Sequence, residues 1–144
     1  MYISKTVKNC ILAGCCSVLI GSASLAGELL YEDTETGLMW KISDNGADIS
    51  WPDAQNYCRQ LNTGGFNDWR MPTQDELASL YRLEAAETSE YYILQKIHIS
   101  ACCQWASEMK GPKVASFDFE YGHRDWGYPM STVEARVLAV RGSK

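Results

Sequence analysis

Residues 64–73, Gly-Gly-Phe-Asn-Asp-Trp-Arg-Met-Pro-Thr, are the strongest constraint on how this chain can fold. Adjacent glycines end a helix, and a proline followed by a threonine prepares the start of the next one. A single helix therefore cannot run through this stretch. Its indole, Trp69, is large enough to anchor the connection in a core. We expect two helices joined by a tight turn and fixed by a buried Trp69.

Both segments that flank this run carry helix signals. Ser50 is a typical N-cap residue with Pro52 in the first turn, and apolar side chains recur at helical spacing at Ala54, Tyr57, Cys58 and Leu61. Gly64 and Gly65 are expected to end this helix. The second helix opens on a capping box of Thr73 and Glu76. Four side chains follow along one side of it: Leu77, Leu80, Tyr81 and Glu84.

Strand signals occupy most of the remaining chain. The predicted strands are residues 38–40, 103–106, 114–119 and 136–141. Residues 137–140 form a nearly continuous apolar run, which is typical of a strand buried on both faces. Residues 84–92 are charged and are expected to be exposed. The order of strand, helix, helix and further strands predicts an α+β domain.

The N-terminal 26 residues have the features of a secretory signal peptide. Lys5 and Lys8 precede an uncharged run over residues 10–21, and small residues lead up to Ala26. The apolar run is too short to span a bilayer, which takes about 20 residues. We expect cleavage after Ala26, which leaves residues 27–144 as an exported, periplasmic or extracellular protein. The alternative is a lipobox ending at Cys15, which would make the protein an outer-membrane lipoprotein.

The charge of the exported chain excludes general binding to nucleic acid. Removal of residues 1–26 takes away two of the 13 basic residues and none of the 18 acidic ones, which leaves a net charge of −7. Nucleic acid binding needs a basic face. No transmembrane span is expected in the exported chain. A polyanionic ligand would require a local basic patch, for which Lys110, Lys113 and Arg124 are the available cations.

Three cysteines remain after cleavage: Cys58, Cys102 and Cys103. An odd number leaves at least one unpaired, and the sequence does not decide the pairing. A bridge from Cys58 to either of the others is possible, and a bridge between the adjacent pair is disfavoured because such a bridge is strained. No metal-binding spacing and no cofactor motif is present, so neither is predicted.

The motifs taken together resemble the Lcl C-terminal domain, a family of secreted bacterial domains. The resemblance spans residues 31–142, and residues 64–73 are its most specific part. Its other elements are residues 36–40 and 50–58, Leu61, Asn62, Glu76, Leu77, residues 104–107 and 117–119, Gly122 and residues 140–142.

This resemblance implies a C-type-lectin-like fold, in which two helices flank a small twisted antiparallel sheet with long loops. It also implies a role in binding a glycan or a protein at the cell surface. Members of the family usually carry a cysteine on the last strand, which would bridge to the cysteine of the first helix. This chain has Ala139 at that position, so the bridge implied for Cys58 is missing.

Residues 120–130 are the richest source of candidate ligand-binding side chains. They are predicted to form a loop between two strands. Trp126 and Tyr128 can stack on sugar rings, Arg124 can clamp a carboxylate or sulfate, and His123 lies beside them. The alternative is that Trp126 and Tyr128 fold back over the core.

A second group of residues is interpreted as structural: Trp40, Asp68, Trp69 and Arg70. Asp68 and Arg70 are expected to hydrogen-bond the turns around them. Asp44, Asn45 and Asp48 offer a few oxygens to calcium, but a cation of that kind needs six to eight, and we interpret this loop as solvated.

The sequence favours a secreted binding module over two other functions. The first alternative is a structural accessory protein of the cell envelope, which an exposed apolar patch would indicate. The second is an enzyme, for which little support exists: the two histidines are His98 and His123, and no phosphate loop or nucleophile motif is present. We expect His98 to point outward.

Overall fold

The computed structural model describes residues 29–87 and 90–142. The predicted signal peptide and Cys15 lie outside these residues. Within them the chain forms a mixed α/β domain with more strand than helix, and no helix there is long and apolar enough to cross a membrane. The strands are β1 (Leu30–Asp33), β2 (Leu38–Lys41), β3 (Cys103–Lys110), β4 (Lys113–Asp118), β5 (His123–Gly127), β6 (Ala135–Arg136) and β7 (Val140–Arg141), and the helices are α1 (Trp51–Gln60) and α2 (Gln74–Ala78).

Both helices begin at the predicted caps. The Ser50 hydroxyl accepts a hydrogen bond from the Asp53 amide at the start of α1. The Thr73 hydroxyl accepts from the Glu76 amide, and the Glu76 carboxylate accepts from the Thr73 amide, which completes the capping box of α2. Helix α2 is shorter than predicted and ends at Ala78, before the expected Leu80, Tyr81 and Glu84.

The glycine pair lies just beyond α1 rather than at its last turn. The helix ends at Gln60, and a 3-10 turn follows at Thr63–Gly65. Gly64 has φ 69° there, and a Cβ on it would lie 2.5 Å from a methyl carbon of Leu30. The turn therefore needs glycine both for its backbone conformation and for its close contact with β1.

The strands form two sheets, where one antiparallel sheet was expected. The first has the order β1-β2-β7 and is antiparallel. The second has the order β5-β4-β3-β6, and its β3 and β6 strands run parallel. The expectation of a single antiparallel sheet is wrong because the C-terminal segment contributes one short strand to each sheet.

The buried side chains form two clusters on opposite sides of the second sheet. Adjacent residues of β4 enter different clusters, Val114 the one beside α1 and Ala115 the one beside α2. The α2 cluster contains Leu38, Trp40, Leu77, Leu80, Ile93, Ile97, Ala106, Ala115, Phe117, Phe119, Leu138 and Val140. The α1 cluster contains Trp51, Ala54, Cys58, Trp69, Met71, Trp105, Val114, Ala135, Val137 and Ala139.

The predicted strand over residues 136–141 is divided in two. Strand β6 pairs with β3 and strand β7 pairs with β2, and the residues between them belong to neither strand. The expected burial is confirmed, since Val137 and Ala139 enter the α1 cluster and Leu138 and Val140 the α2 cluster. Successive residues thus enter different clusters because the segment passes between two sheets.

One prediction about the loops is wrong and a second holds only in part. Residues 120–130 were expected to be a loop, but His123–Gly127 forms strand β5 by pairing with β4. Residues 84–92 were expected to be exposed: Glu84 and Glu90 are, but Ala85 is buried and the Tyr92 amide donates to the Phe119 carbonyl. In both cases pairing with residues distant in the sequence overrides the local composition.

Candidate functional site

Strand β5 carries most of the candidate ligand-binding side chains. It lies at one edge of the second sheet and pairs only with β4 among the described strands. Arg124 lies opposite Phe117, and Trp126 lies opposite Ala115. An edge strand has a neighbour on one side only, and the Arg124 side chain on β5 is exposed.

Three of the predicted residues lie on the same face of β5. Successive side chains of a strand point to opposite faces, so Arg124, Trp126 and Tyr128 fall on one side. Trp126 packs against the α2 cluster and is half-buried. Tyr128, one residue past the strand, is 65% exposed. The Lys113 ammonium lies 5.9 Å from the centre of the Tyr128 ring. We call Arg124, Trp126, Tyr128 and Lys113 the β5 strip.

Helix α2 fixes the other end of the β5 strip. Arg124 donates to the carboxylate of Asp75, which lies in the first turn of α2. The buried Gln74 amide donates to the carbonyls of Ser116 and Asp125, at 2.9 and 3.0 Å, and so ties α2 to both β4 and β5. The sequence interpretation did not identify Gln74 and Asp75 as partners of this surface, because only the tertiary structure brings them there.

His123 is separated from the β5 strip. It lies on the other face of β5, directly across from Asp118 on β4. Its ring centre is 6.1 Å from that of Tyr121, and both side chains are exposed. The structure therefore groups three of the four predicted ligand-binding residues and places His123 on a different surface. His98 is also exposed, as expected, and its backbone is bridged to that of Ser43.

The tryptophans of the structural group lie in the core. Trp40 has no exposed surface and belongs to the α2 cluster, and its indole nitrogen has no partner among the described residues. Trp69 is 3% exposed in the α1 cluster, and its indole N–H donates to the Thr63 carbonyl at 3.2 Å.

The two charged residues beside Trp69 form ion pairs. Asp68 accepts two hydrogen bonds from Arg141, at 2.7 and 3.0 Å, and the hydrogen bond from this guanidinium holds the pKa of Asp68 below its ordinary value. Arg70 donates to both oxygens of Glu76 and to the Met71 carbonyl. The predicted bonds to turn backbone therefore hold for Arg70, whereas Asp68 binds a side chain instead.

The loop with Asp44, Asn45 and Asp48 is less solvated than expected. Asp44 is buried and accepts from the Ser100 amide at 2.6 Å and from the Gln104 amide group at 3.3 Å. Asn45 accepts from the Val137 amide, and Asp48 accepts from Arg136. Each of these side chains thus has an oxygen already committed to the fold.

A cavity of about 300 Å³ beside α1 was not predicted from the sequence. Its lining residues are Gln55, Arg59, Arg70, Met71, Thr73 and Ser107. They come from three separated segments, so no local pattern marks the cavity. Arg70 is neutralised by Glu76, and Arg59 donates to the Asn56 side chain at 2.6 Å.

The cysteines pair in the way that the sequence argument disfavoured. A disulfide joins Cys102 and Cys103, and Cys58 is free and buried in the α1 cluster. Burial raises the pKa of the Cys58 thiol to about 12. Cys58 lies on α1 with its side chain buried in the α1 cluster, and it does not take part in the bridge.

The disulfide borders a second, acidic cavity. This cavity measures about 180 Å³, and its lining residues are Glu90, Tyr91, Cys102, Glu120 and Glu134. Burial, and secondarily the three surrounding carboxylates, raise the pKa of the Tyr91 hydroxyl. The negative charge of this cavity favours cations over anions.

Comparison with known proteins identifies the family of the chain. Among proteins with curated descriptions, none matches it significantly. The family model of the Lcl C-terminal domain matches residues 30–141, which include both sheets and both helices. The chain therefore belongs to the Lcl C-terminal domain family.

Proposed function

We propose that this protein is an exported binding module with a C-type-lectin-like fold, and that it recognises a neutral saccharide at the cell surface through the β5 strip. The observation that carries the proposal is the placement of a guanidinium and an indole on one face of an edge strand, with a phenol one residue past its end. Aromatic faces stack on the apolar faces of sugar rings. Loops and edges on a rigid scaffold are common binding surfaces.

The charges of the β5 strip favour a neutral ligand. Arg124 is already paired with Asp75, so this end offers both donors and acceptors to sugar hydroxyls. Lys113 adds an ammonium close to the Tyr128 ring. A chain with a net charge of −7 after signal cleavage repels a polyanion overall. The cations Arg124 and Lys113 do not reverse that repulsion.

A glycan array with the purified protein, followed by titration of its best ligand, tests the proposal. Tyr128→Ala is expected to weaken saccharide binding about three- to tenfold, because one ring stacking contact is lost. Tyr121→Ala is the matched control, since Tyr121 is 63% exposed but lies off the β5 strip. Equal affinities of the two variants would contradict the proposal.

A second candidate function is assembly with another envelope protein. Met130 and Val133, in the segment after β5, are 73% and 79% exposed. Apolar side chains of this kind are typical of a protein interface when they are contiguous. A pull-down from envelope extracts with wild type and Met130→Ser/Val133→Ser tests this function. A specific partner lost in the double variant, together with an array that detects no glycan, would favour assembly.

We also propose export as a soluble protein that begins at Gly27. The basic start, the uncharged run and the small residues before position 27 support this start. N-terminal sequencing and mass spectrometry of the exported protein test it. A chain that begins at a lipid-modified Cys15 would instead identify a lipoprotein.

A further inference from the structure

Three metal-ligating side chains converge at one end of the second sheet. The ligand atoms of Cys102, Cys103 and Asp118 all lie within 4.8 Å of one another. Cys103 on β3 is directly opposite Asp118 on β4, so both side chains lie on the same face. The Phe119 amide donates to the Cys102 carbonyl at 2.8 Å, which holds the adjacent cysteine against β4.

The two sulfurs become metal ligands only when the disulfide is reduced. A phosphine reductant supplies the two electrons and is oxidised to its phosphine oxide with an oxygen from water, whose two protons complete the two thiols as the S–S bond breaks. The bridge joins neighbouring residues, so it closes almost no chain and restricts the unfolded state little. We therefore expect the domain to remain folded after reduction.

We propose that the reduced Cys102 and Cys103, together with Asp118, bind one thiophilic divalent cation such as Zn²⁺ or Cd²⁺. Thiolates favour soft and borderline cations over calcium and magnesium. Binding releases the two thiol protons and forms two metal–sulfur bonds and one metal–oxygen bond. Three protein ligands leave the fourth tetrahedral position to water. In the oxidised protein the sulfurs bond each other, and the site is closed.

The surroundings of the three side chains suit a cation. Cys102 lines the acidic cavity, whose other charged residues are Glu90, Glu120 and Glu134. These carboxylates attract cations to the sulfurs, and the cavity gives an access path. Cys103 and Asp118 are half-buried, so the ligands are shielded but reachable. His123 lies across from Asp118, on the same side of the sheet.

The test is a Cd²⁺ titration of the purified protein after anaerobic reduction with a phosphine, which does not itself compete as a thiol. The signal is the thiolate-to-cadmium charge-transfer absorption in the ultraviolet. The double variant Cys102→Ser/Cys103→Ser measures the Cd²⁺ bound by the other cysteines. We expect the wild type to bind one Cd²⁺ per chain more than this variant. The oxidised wild type is expected to show no such binding.

Two further variants separate this site from unspecific binding. Asp118→Asn keeps an oxygen that can accept from the Glu120 amide, so the turn after β4 is preserved, and metal affinity is expected to fall about tenfold or more. Cys58→Ser is expected to bind Cd²⁺ as the wild type does, because Cys58 is buried in the α1 cluster. Equal stoichiometry in the wild type and the double cysteine variant, or unchanged affinity in Asp118→Asn, would overturn the proposal.

The site is independent of the proposed saccharide binding. Two of its ligands, Cys103 and Asp118, lie on the face of the sheet opposite the β5 strip, since Asp118 pairs with Cys103 and His123 rather than with Arg124. Tyr128→Ala is therefore expected to leave Cd²⁺ binding of the reduced protein unchanged.

Discussion

Arg70 and Glu76 form a bidentate ion pair, in which both nitrogen–oxygen distances are 2.8 Å. The same carboxylate accepts from the Thr73 amide and so completes the cap of α2. The backbone of Arg70 exchanges two hydrogen bonds with Val140, at 2.9 and 3.0 Å. One arginine thus joins the start of α2 to the C-terminal strand β7.

Loss of Arg70 is expected to destabilise the fold. The Glu76 side chain is only 10% exposed, so Arg70→Ala removes the guanidinium that contacts both oxygens of a mostly buried carboxylate. Removal of one partner of a buried pair costs 3–5 kcal/mol, and because Arg70 is one-third exposed we expect a loss of about 2–3 kcal/mol. Urea denaturation of both single variants and of Arg70→Ala/Glu76→Gln measures the coupling between the two side chains.

The exposed ion pair of Asp68 and Arg141 provides the control for this experiment. Asp68→Asn is expected to lower stability less than Arg70→Ala, because solvent screens the pair. If the effects of Arg70→Ala and Glu76→Gln on the free energy of unfolding simply add in the double variant, the two side chains are not coupled and the ion pair does not stabilise the fold.

Trp69→Ala is expected to be among the most destabilising single substitutions. Trp69 is 3% exposed and fills the α1 cluster, so its truncation leaves a cavity and costs about 3–5 kcal/mol. Trp126→Ala is expected to cost less, because Trp126 is half-buried at the margin of the α2 cluster. Thermal unfolding of both variants checks this order, and a greater loss for Trp126→Ala would contradict it.

Cys58 is expected to resist alkylation in the folded protein. Its pKa of about 12 leaves almost no thiolate at pH 8, and burial blocks access to the sulfur. Treatment with iodoacetamide at that pH, with and without urea, followed by peptide mapping, measures the effect. Rapid modification of Cys58 without urea would show that the thiol is exposed or activated.

The raised pKa of Cys58 also predicts a loss of stability in alkali. Well below pH 9.0, the ordinary pKa of a cysteine thiol, Cys58 is protonated in the folded and the unfolded chain alike. In that range its ionisation does not lower the stability. As pH rises from there towards 12, the unfolded chain releases the proton first, so stability falls, by about 1 kcal/mol at pH 10. Cys58→Ala is expected to show a smaller fall between pH 8 and pH 10 than the wild type.

Ala139→Cys is expected to form a disulfide with Cys58 under oxidising conditions. Both residues are buried in the α1 cluster, and position 139 is where the family resemblance implies a cysteine that bridges to the first helix. A bridge over so long a loop is expected to add about 2–4 kcal/mol to the stability. Mass mapping of the oxidised variant detects it, and Ala139→Ser is the control. A free thiol at position 139 after oxidation would contradict the prediction.

The helix starts could be predicted from the sequence because their signals are local. Ser50 and Thr73 each bond an amide three residues away, so the pattern is complete within one turn. The two-sheet arrangement could not be predicted in this way. The apolar run over residues 137–140 is expected whether the segment is one strand buried on both faces or passes between two sheets.

The candidate site was only partly predictable for the same reason. Arg124, Trp126 and Tyr128 could be named from their chemistry alone. Their common face became evident only once residues 123–127 were found to pair with β4. Asp75 lies 49 positions from Arg124, and no pattern in the sequence links the two. The disulfide of adjacent cysteines was likewise undetermined, since three cysteines allow several pairings.

The passage of the C-terminal segment between the two sheets has a consequence for biosynthesis. Residues 137–140 fill both hydrophobic clusters, so a nascent chain that still lacks them can complete neither. We therefore expect the domain to fold only after nearly all of it has left the ribosome.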